Sequence, residues 1–576
     1  MNRPGLPIDR VTCDVVVVGS GAAGFTAALT AAVAGLSVIV LEKAEVFGGT
    51  TALSEGMAWI PGSRQARAAG VEDPPEAALA YIERAAGSSF DPARARAFVD
   101  AAPRMLAFVE DAGGLQFTLA TGSMDYHPDW HGASRGARSL IPGVFDGRRL
   151  GADFRRLRRP LESTLVLGGM TIGSGELATM RRAHRDPAAA WHAVRLMARH
   201  AWDRAIGQPR GTRIANGNGL VAALALACLR RGVRLWTAAA MVDLRTARTT
   251  SGLLVTGARI ARGSSAVDLT ATRGVVLAGG GFSGSPEMRQ RFFPAGASGS
   301  NHVRLVPDSV TGDTLRLAEA LGARVVAYDS AASWAPASRV PAALAGKDEG
   351  FPHFMERQKP GFIAINGQGR RFVNEATGYS HFVRAMLADA NGAPPTCWLI
   401  CDRPALRRHG MGAAPPFPLS IERHLRSGYL IEARDLQTLA AHIGVDATAL
   451  SRTVQAFNAQ ARAGNDPEFG RGGSVIDRAY GDPLHAVHPN LGPLEHPPYY
   501  AVRLHTGDIG SLAGLASDEH AQVLDTSGQA IAGLYVAGND AASLFGGTYP
   551  AGGITIGPAM TFGWIAGRAL ARSSPR

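Results

Sequence analysis

Apolar positions in this chain come in short runs that end in glycine. Val15 to Val18 is a β-branched run. Gly19, Gly21 and Gly24 follow it at GxGxxG spacing, Ala27, Ala28, Ala31 and Ala32 continue at helical spacing, and a second apolar run, Ser37 to Leu41, stops at Glu42. The pattern predicts strand, tight turn, helix and strand. No residue from Val15 to Leu41 is charged, so hydropathy alone would allow a membrane span. The glycine spacing decides for a βαβ unit. Two more short strands are expected where apolar runs meet glycines, in GVVLAGGGFSG (Gly274 to Gly284) and GLYVAGN (Gly533 to Asn539). CWLIC (Cys397 to Cys401) reads as a buried strand, Leu436 to Gly464 as helical, and GPAMTFGWIAGRAL as a helix with Pro558 in its first turn.

Each glycine of the first turn has a mechanical role. Gly19 makes the turn, Gly21 lets backbone approach a pyrophosphate, and Gly24 lets the helix pack on the sheet. The helix then offers free N–H groups and its positive end to phosphates, and Glu42 stands where a carboxylate accepts bonds from ribose hydroxyls. Strand, glycines, helix and acid together predict dinucleotide binding. The loop Gly48, Gly49, Thr50 and Thr51 is small enough for backbone to lie against a flat ring. Gly279, Gly281 and Gly284 repeat the GxGxxG spacing, but no acid ends a following strand, so this reads as a strand-end turn of the same domain. A chain that returns to that domain near its C-terminus, at GLYVAGN, favours FAD over NAD.

Composition narrows the class. The chain has 576 residues, room for two or more domains; 46% are apolar, 7% aromatic and 70 are glycine. That mix suits an α/β protein with many tight turns. The net charge of +11 is an arginine excess, clustered between Arg135 and Pro160. Aromatics are not interleaved with it on a recognisable module, so no nucleic-acid partner is expected. A solvated basic face is one reading; attraction of an acidic substrate, or peripheral contact with an anionic membrane surface, is the other. Cys13, Cys228, Cys397 and Cys401 form no CxxC pair and read as structural thiols in a reducing cytoplasm. The N-terminal residues show no apolar signal region.

The motifs resemble the fumarate reductase and 3-ketosteroid dehydrogenase superfamily of FAD proteins, and within it the 3-ketosteroid Δ1-dehydrogenases. The resemblance rests on the βαβ unit, Gly217 to Trp236, GVVLAGGGF, Thr311 to Ala323, GQGRRFVNEATGYSHFV (Gly367 to Val383) and GTYPAGGITIGPAMTFG near the C-terminus. It implies an α/β fold: a Rossmann-like FAD-binding domain in two pieces, residues 1–304 and 486–576, with an α+β substrate-capping domain, 305–485, inserted between them. A poorly matching stretch at about 139–213 is expected to be an insertion. Noncovalent FAD is the implied cofactor. The residues implied to hold it are Gly19, Gly21, Ala22, Ala23 and Gly24; Glu42 and Lys43; Gly49, Thr50, Thr51, Ser54 and Gly56; Val242; Gly279; Gly538 and Asn539; and Ile554 and Ile556. The implied partners are a cyclic ketone of steroid type and an electron acceptor that the sequence does not identify.

Two chemistries run on this scaffold, and the sequence separates them. Reductases of unsaturated acids carry an arginine four residues after the glutamate of an RFxNE motif. Here the motif is Arg371 to Glu375, and the fourth residue beyond it is Tyr379. The C-terminal glycine-rich stretch also lacks the arginine that such reductases use. Only His505 points toward them. The resemblance implies instead that Tyr379 is the base, that Tyr126 assists it, and that Tyr549 and the Gly553 amide bind the ketone. A phenol of reference pKa about 10 is a weak base at neutral pH, so Tyr126 is expected to stabilise the Tyr379 phenolate. Removal of an α-proton and transfer of a hydride from the next carbon to FAD would then give an enone. Reduction of an activated double bond, and dehydrogenation of a smaller cyclohexanone-type ketone, are the alternatives.

Overall fold

The computed structural model describes residues 9–575 apart from 121, 174, 175, 177, 178, 181–185, 251 and 264. Strand β1 (Asp9–Val18), helix α1 (Ala22–Val33) and strand β2 (Val38–Leu41) form the expected βαβ unit. The strands are parallel, with Val15 opposite Val38 and Val18 opposite Leu41. Their side chains divide with period two: Val15, Val17, Val38 and Val40 enter one apolar core, and Val16, Val18, Ile39 and Leu41 enter another on the opposite face. A strand covered on both faces needs an unbroken apolar run, which explains the uncharged stretch.

The expected insertion is smaller than 139–213. Its first strand, Ser139–Pro142, pairs with Ala58–Trp59 and Phe117–Leu119 and so belongs to a sheet beside the site. The excursion proper begins after Phe145–Asp146 and closes at Arg213–Ile214, two short strands that pair antiparallel. Between them lies helix α2 (Pro187–Ala205). Much of the stretch just before α2 lies outside the described residues.

Four strands complete the first piece: β3 (Arg234–Trp236), β4 (Ala240–Thr249), β5 (Gly252–Arg262) and β6 (Ser265–Leu277). The capping region supplies β7 (Phe362–Asn366), α3 (Tyr379–Asp389), β8 (Cys397–Asp402), β9 (Ile431–Ala433) and β10 (Tyr499–Leu504). The chain then returns through β11 (Gln522–Leu524), β12 (Ala530–Val536) and α4 (Ile556–Arg572). The large sheet runs β11-β12-β5-β6-β1-β2-β3, with β4 paired to β5. Its central strands β1, β6 and β12 all end in glycines at the same edge, so the three glycine-ended runs seen in the sequence converge in space. Glycines also let α4 cross α1 closely: a Cβ on Gly563 would sit 2.5 Å from the Ala23 carbonyl oxygen, and one on Gly567 would sit 2.8 Å from that of Ala27.

The capping sheet is antiparallel, in the order β7-β8-β10-β9. Ile363, Ile365, Trp398 and Ile400 face the helices Leu436–Ile443 and Ala447–Arg462, while Phe362, Ala364, Leu399 and Cys401 face the other way into the core shared with the large sheet. The capping sheet thus extends past residue 485, because β10 pairs with β8 along its whole length. Alternation alone cannot tell which sheet a strand joins. At the other boundary, Val303–Arg304 pairs with Gly507–Ser511, which places the crossing between the two regions there. All four cysteines are buried and unpaired. Among the described residues no helix is long and apolar enough to cross a membrane.

Candidate active site

One cavity of about 1450 Å³ runs from the first glycine turn to the three tyrosines. At the glycine end the turn works as its spacing implies. Gly19 has φ +111°, and a Cβ there would overlap the Ala278 carbonyl; a Cβ on Gly24 would overlap the Gly19 carbonyl. Gly21 is different. A Cβ there would meet only the Thr51 hydroxyl at 3.4 Å, so its missing side chain leaves space in the cavity rather than room for protein. Glu42 is buried at the cavity wall, its carboxylate accepting from Ser20 Oγ at 2.5 Å and from the Ala44 amide at 2.9 Å. Lys43 Nζ is anchored on Thr311 and Asp313, both at 2.6 Å.

Most of the expected cofactor residues line this cavity, among them Ala22, Ala23, Gly49, Thr50, Thr51, Ser54, Gly56, Gly279, Gly538, Asn539 and Ile556. Three do not. Gly24 serves helix packing. Val242 is 47% exposed, because on β4 its neighbour Met241 faces the cavity and strand alternation turns Val242 outward. Ile554 is buried in the core beneath the loop.

At the far end three phenol rings meet. The ring centroids of Tyr379 and Tyr549 lie 5.1 Å apart, those of Tyr126 and Tyr379 5.6 Å, and those of Tyr126 and Tyr549 6.5 Å. Three separate elements deliver them. Tyr379 is the first residue of α3. Tyr126 sits in the loop between Phe117–Leu119 and Ser139–Pro142, and its amide donates to the Pro550 carbonyl at 2.7 Å. Tyr549 belongs to the glycine-rich loop itself. The tie through Pro550 joins two segments more than 400 residues apart in sequence. Gly378 makes room for the Tyr126 ring, since a Cβ on it would come within 3.2 Å of that ring.

The Tyr549 hydroxyl lies within reach of the Tyr379 hydroxyl, the Thr555 hydroxyl and the Gly553 amide. The Gly553 amide is directed at the Tyr549 oxygen, so the two polar groups stand side by side at the cavity wall. Gly553 is glycine for a reason other than substrate approach: it has φ +90°, and a Cβ would come 2.7–2.8 Å from the backbone of Met57 to Trp59. Its neighbour Gly552 faces the cavity, where a Cβ would meet Met57 Sδ at 2.8 Å and the Tyr126 hydroxyl at 3.6 Å.

Burial pushes the phenols of Tyr126 and Tyr379 well above the usual range and raises Tyr549 as well. The neighbouring phenols push Tyr379 further up, so Tyr126 by itself does not make Tyr379 acidic. Tyr379 stands in the first turn of α3, a position where helix N–H groups favour negative charge in general.

Sequence reasoning missed two carboxyls. Asp540 is fully buried, accepts from the Gly279 amide at 2.6 Å and the Gly281 amide at 2.8 Å, and is pushed up to about 6 by burial. Asp540, the residue directly after GLYVAGN, was its signal. Glu55 lines the cavity in the electrostatic range of Tyr126 and Tyr549, and burial raises it. His505 is not a cavity residue. Burial, with Arg339 and Arg503 nearby, pushes it down to about 4.

The FAD binding domain family matches residues 14–556. The 4-oxocyclohex-2-ene-1-carboxylate 5-dehydrogenase of Sinomonas cyclohexanicum is 38% identical, over 98% of this chain and 94% of that protein. The 3-oxosteroid 1-dehydrogenase of Mycobacterium tuberculosis is 37% identical, over 96% of this chain and 97% of that protein. The crystal structure of 3-ketosteroid delta1-dehydrogenase from Sterolibacterium denitrificans, in complex with 1,4-androstadiene-3,17-dione, superposes with a TM-score of 0.90 at 36% identity, covering 98% of this chain and 100% of that one. The chain belongs to the 3-ketosteroid Δ1-dehydrogenase family.

As a member of this family it is an FAD-dependent oxidoreductase of the 3-oxosteroid 1-dehydrogenase type, acting on CH–CH groups. The cavity fits that cofactor. Gly21 leaves an open cradle at a helix N-terminus for the pyrophosphate, Glu42 sits where a ribose would lie, and Thr555, Ile556 and Ala559 bring the start of α4 to the cavity wall.

Proposed function

We propose that the protein introduces a C=C double bond beside the ketone of a 3-ketosteroid, at the 1(2) position, using Tyr549, Gly553, Tyr379 and Tyr126. The observation that supports this reading is the grouping of the Tyr549 hydroxyl and the Gly553 amide side by side next to the Tyr379 ring. A ketone oxygen placed between the two donors gains most as negative charge develops on it, and one such donor is worth about 10²–10³ in turnover. Tyr379 takes the proton from the carbon next to the ketone. Tyr379 does so as a phenolate and becomes the phenol; Tyr126 orients its oxygen and stabilises the phenolate by a hydrogen bond. When bound, FAD supplies the acceptor for the hydride from the adjacent carbon. The cofactor is held without a covalent link. Acid denaturation followed by filtration should release all of the flavin, and flavin retained on the polypeptide would refute this.

The walls support a neutral, apolar substrate. Leu119, Ile141, Phe354, Ile476 and Ile509 line the cavity. Among the described residues its only Lys or Arg side chains are Lys43, tied to Asp313, and Arg423. A small keto-acid, or the dicarboxylate of a reductase, bound with its oxygen on Tyr549 would face Glu55 rather than a cation. Four unpaired thiols support a reducing, cytoplasmic setting.

Anaerobic mixing tests the reading. A 3-ketosteroid with a saturated C1–C2 bond should bleach the flavin in a single turnover, and a 4-oxocyclohexane carboxylate should do so far more slowly. Faster bleaching by the acid would assign the protein to the small-ring chemistry. Reoxidation of the reduced flavin by an activated alkene, with no bleaching by either ketone, would make it a reductase.

A further inference from the structure

Arg138 lies at the centre of a buried cluster that the chemistry proposed above does not use. Its guanidinium holds Asp73 through Nε at 2.8 Å and Nη2 at 2.7 Å, and Asp125 through Nη1 at 2.9 Å. The three side chains are enclosed, at 1–3% exposure. The guanidinium also lies over the rings of Trp59 and Tyr81, 5.2 and 5.8 Å from their centroids. Asp125 accepts in addition from Trp59 Nε1 at 2.9 Å and from the Ser134 amide at 2.8 Å. None of these side chains lines the cavity.

Ties out of this cluster lead to the segments that carry the site groups. Asp125 directly precedes Tyr126, whose amide donates to the Pro550 carbonyl. The same carbonyl accepts from the Tyr81 hydroxyl at 2.7 Å, so the loop of Tyr549 rests on Tyr81 and Tyr126 together. Trp59 holds Asp125 with its indole N–H and the Gly553 carbonyl with its amide, the latter at 3.0 Å. Ser139, next to Arg138, donates from Oγ to the Gly552 carbonyl at 3.0 Å. A buried ion pair adds little stability over apolar packing of the same volume. What a guanidinium supplies is direction, because its N–H groups form a rigid planar fork. Here one edge of the fork takes Asp73, and the remaining nitrogen takes Asp125.

We propose that Arg138 is a positioning residue for the dehydrogenation: acting through Asp125, it fixes the Tyr126 hydroxyl against the Tyr379 oxygen. The proposal rests on the role given to Tyr126 above. The two rings meet edge to face with their hydroxyls hydrogen-bonded, so a small turn of the Tyr126 backbone moves one oxygen off the other. Tyr126 stands in a loop, with no helix or strand of its own to hold that direction. Its backbone is instead held on both sides, by the Pro550 carbonyl and by Asp125, whose amide bonds the Ser134 carbonyl at 3.0 Å. Without Arg138, Asp125 would keep Trp59 and Ser134 but lose the cation that offsets its burial, and the loop would lose its fixed point. A misplacement of about 1 Å, caused by a change away from the chemistry, can cost about 10²-fold in rate.

Single-turnover flavin reduction by a 3-ketosteroid with a saturated C1–C2 bond tests this in the FAD-loaded protein, with rates taken per bound flavin. Arg138→Gln should lower the saturating rate about 10–10²-fold while the half-saturating ketone concentration moves less than about threefold and the flavin spectrum is kept. Asp125→Asn keeps an acceptor for Trp59 and leaves Arg138 on Asp73. It should slow reduction in the same way, and it decides the matter if Arg138→Gln does not hold flavin. Double variants make the sharper test. In Tyr126→Phe the hydroxyl to be positioned is gone, so adding Arg138→Gln or Asp125→Asn should cost less than about twofold more, whereas on Tyr549→Phe either should keep its full cost. A full further loss on Tyr126→Phe overturns the proposal and makes the cluster a general support of the fold. A loss that disappears on Tyr549→Phe overturns it by assigning the cluster to the ketone loop. Single variants that reduce flavin at the wild-type rate overturn it outright. A Tyr126→Phe protein as fast as the wild type would instead refute the role of Tyr126 itself, and the proposal with it; that result is read before any Arg138 variant is made.

Discussion

Glu375 and Tyr379 stand four residues apart in one loop, and they head two different buried clusters. Glu375 accepts from Arg371 Nε at 2.8 Å and Nη2 at 2.7 Å, from Arg471 Nη1 at 3.1 Å, and from the Ala364 amide at 3.1 Å. Arg371 also holds Asp466, and Asn374 holds Asp477. Burial alone would raise Glu375, but Arg371 and Arg471 keep it below the usual carboxylate range. Tyr379, half-buried against the cavity, has other phenols at its hydroxyl and is pushed up. In the first cluster charge is matched by opposite charge, and the group is locked in the form it has in water. In the second no charge is matched by another: the phenols stay neutral and their polar atoms keep spare capacity. The first arrangement holds the cap together; the second waits for a ligand. The Arg371 to Glu375 motif is thus a buried ion cluster up to its glutamate, and in the proposed function the chemistry begins four residues later, at Tyr379.

Substitutions on the two sides of this divide should behave in opposite ways. The largest effect is expected for Tyr379→Phe, about 10²–10⁴-fold in the rate of flavin reduction, the range of a lost general base. Melting temperature and flavin content should hardly move, and near-wild-type reduction would remove Tyr379 from the base role. Glu375→Gln should do the reverse. Removing one member of a buried ion cluster strands its partners and costs about 3–5 kcal/mol. Thermal unfolding should fall by several degrees while the rate per bound flavin survives in whatever remains folded. An unchanged melting temperature with lost turnover would show that the two clusters are one device. Tyr549→Phe should cost about 10²-fold in turnover, with substrate binding weakened less, because the donor matters most once charge is on the ketone oxygen. Lost flavin and a surviving rate would instead make Tyr549 part of the scaffold.

The divide also separates what the sequence shows from what it hides. The βαβ unit and the glycine-ended strands were legible because each rests on local spacing; the three tyrosines were named through the family resemblance. The convergence of Tyr126 with Tyr549 was legible only through the family resemblance, since the hydrogen bond from Tyr126 to Pro550 spans most of the chain. The steric reason for a glycine at 553 was hidden in the same way: the backbone at Met57 to Trp59 that excludes a side chain there is nowhere near it in sequence. The Val242 side chain turns away from the cavity because a one-residue step in a strand reverses which side faces it. The end of the cap was missed because β10 pairs backward with β8, and register is invisible in an apolar run.

Asp540 lies between the two kinds of region, and it carries the smallest effect expected here. Like Glu375 it is a buried carboxyl with definite partners, the amides of Gly279 and Gly281. Like the phenols it is pushed up by burial, to about 6, because no cation stands against it. The sign of its contribution follows. In the unfolded chain it titrates near 3.8, so between about 3.8 and about 6 the folded protein holds a proton that the unfolded chain has released. Stability from this group is therefore largest below that window and falls as pH rises through it, with no further change above about 6. Asp540→Asn keeps an acceptor for the amides and removes the titration. At pH 7 two changes oppose each other, loss of the charge-assisted bonds and relief of the buried charge, so the net shift should be about 1 kcal/mol or less. The difference in melting temperature between wild type and variant should move in favour of the wild type as pH is lowered from about 6 to about 4. A difference that stays constant across that window would mean that Asp540 is held ionised as firmly as Glu375, and would place it with the ion cluster rather than with the site.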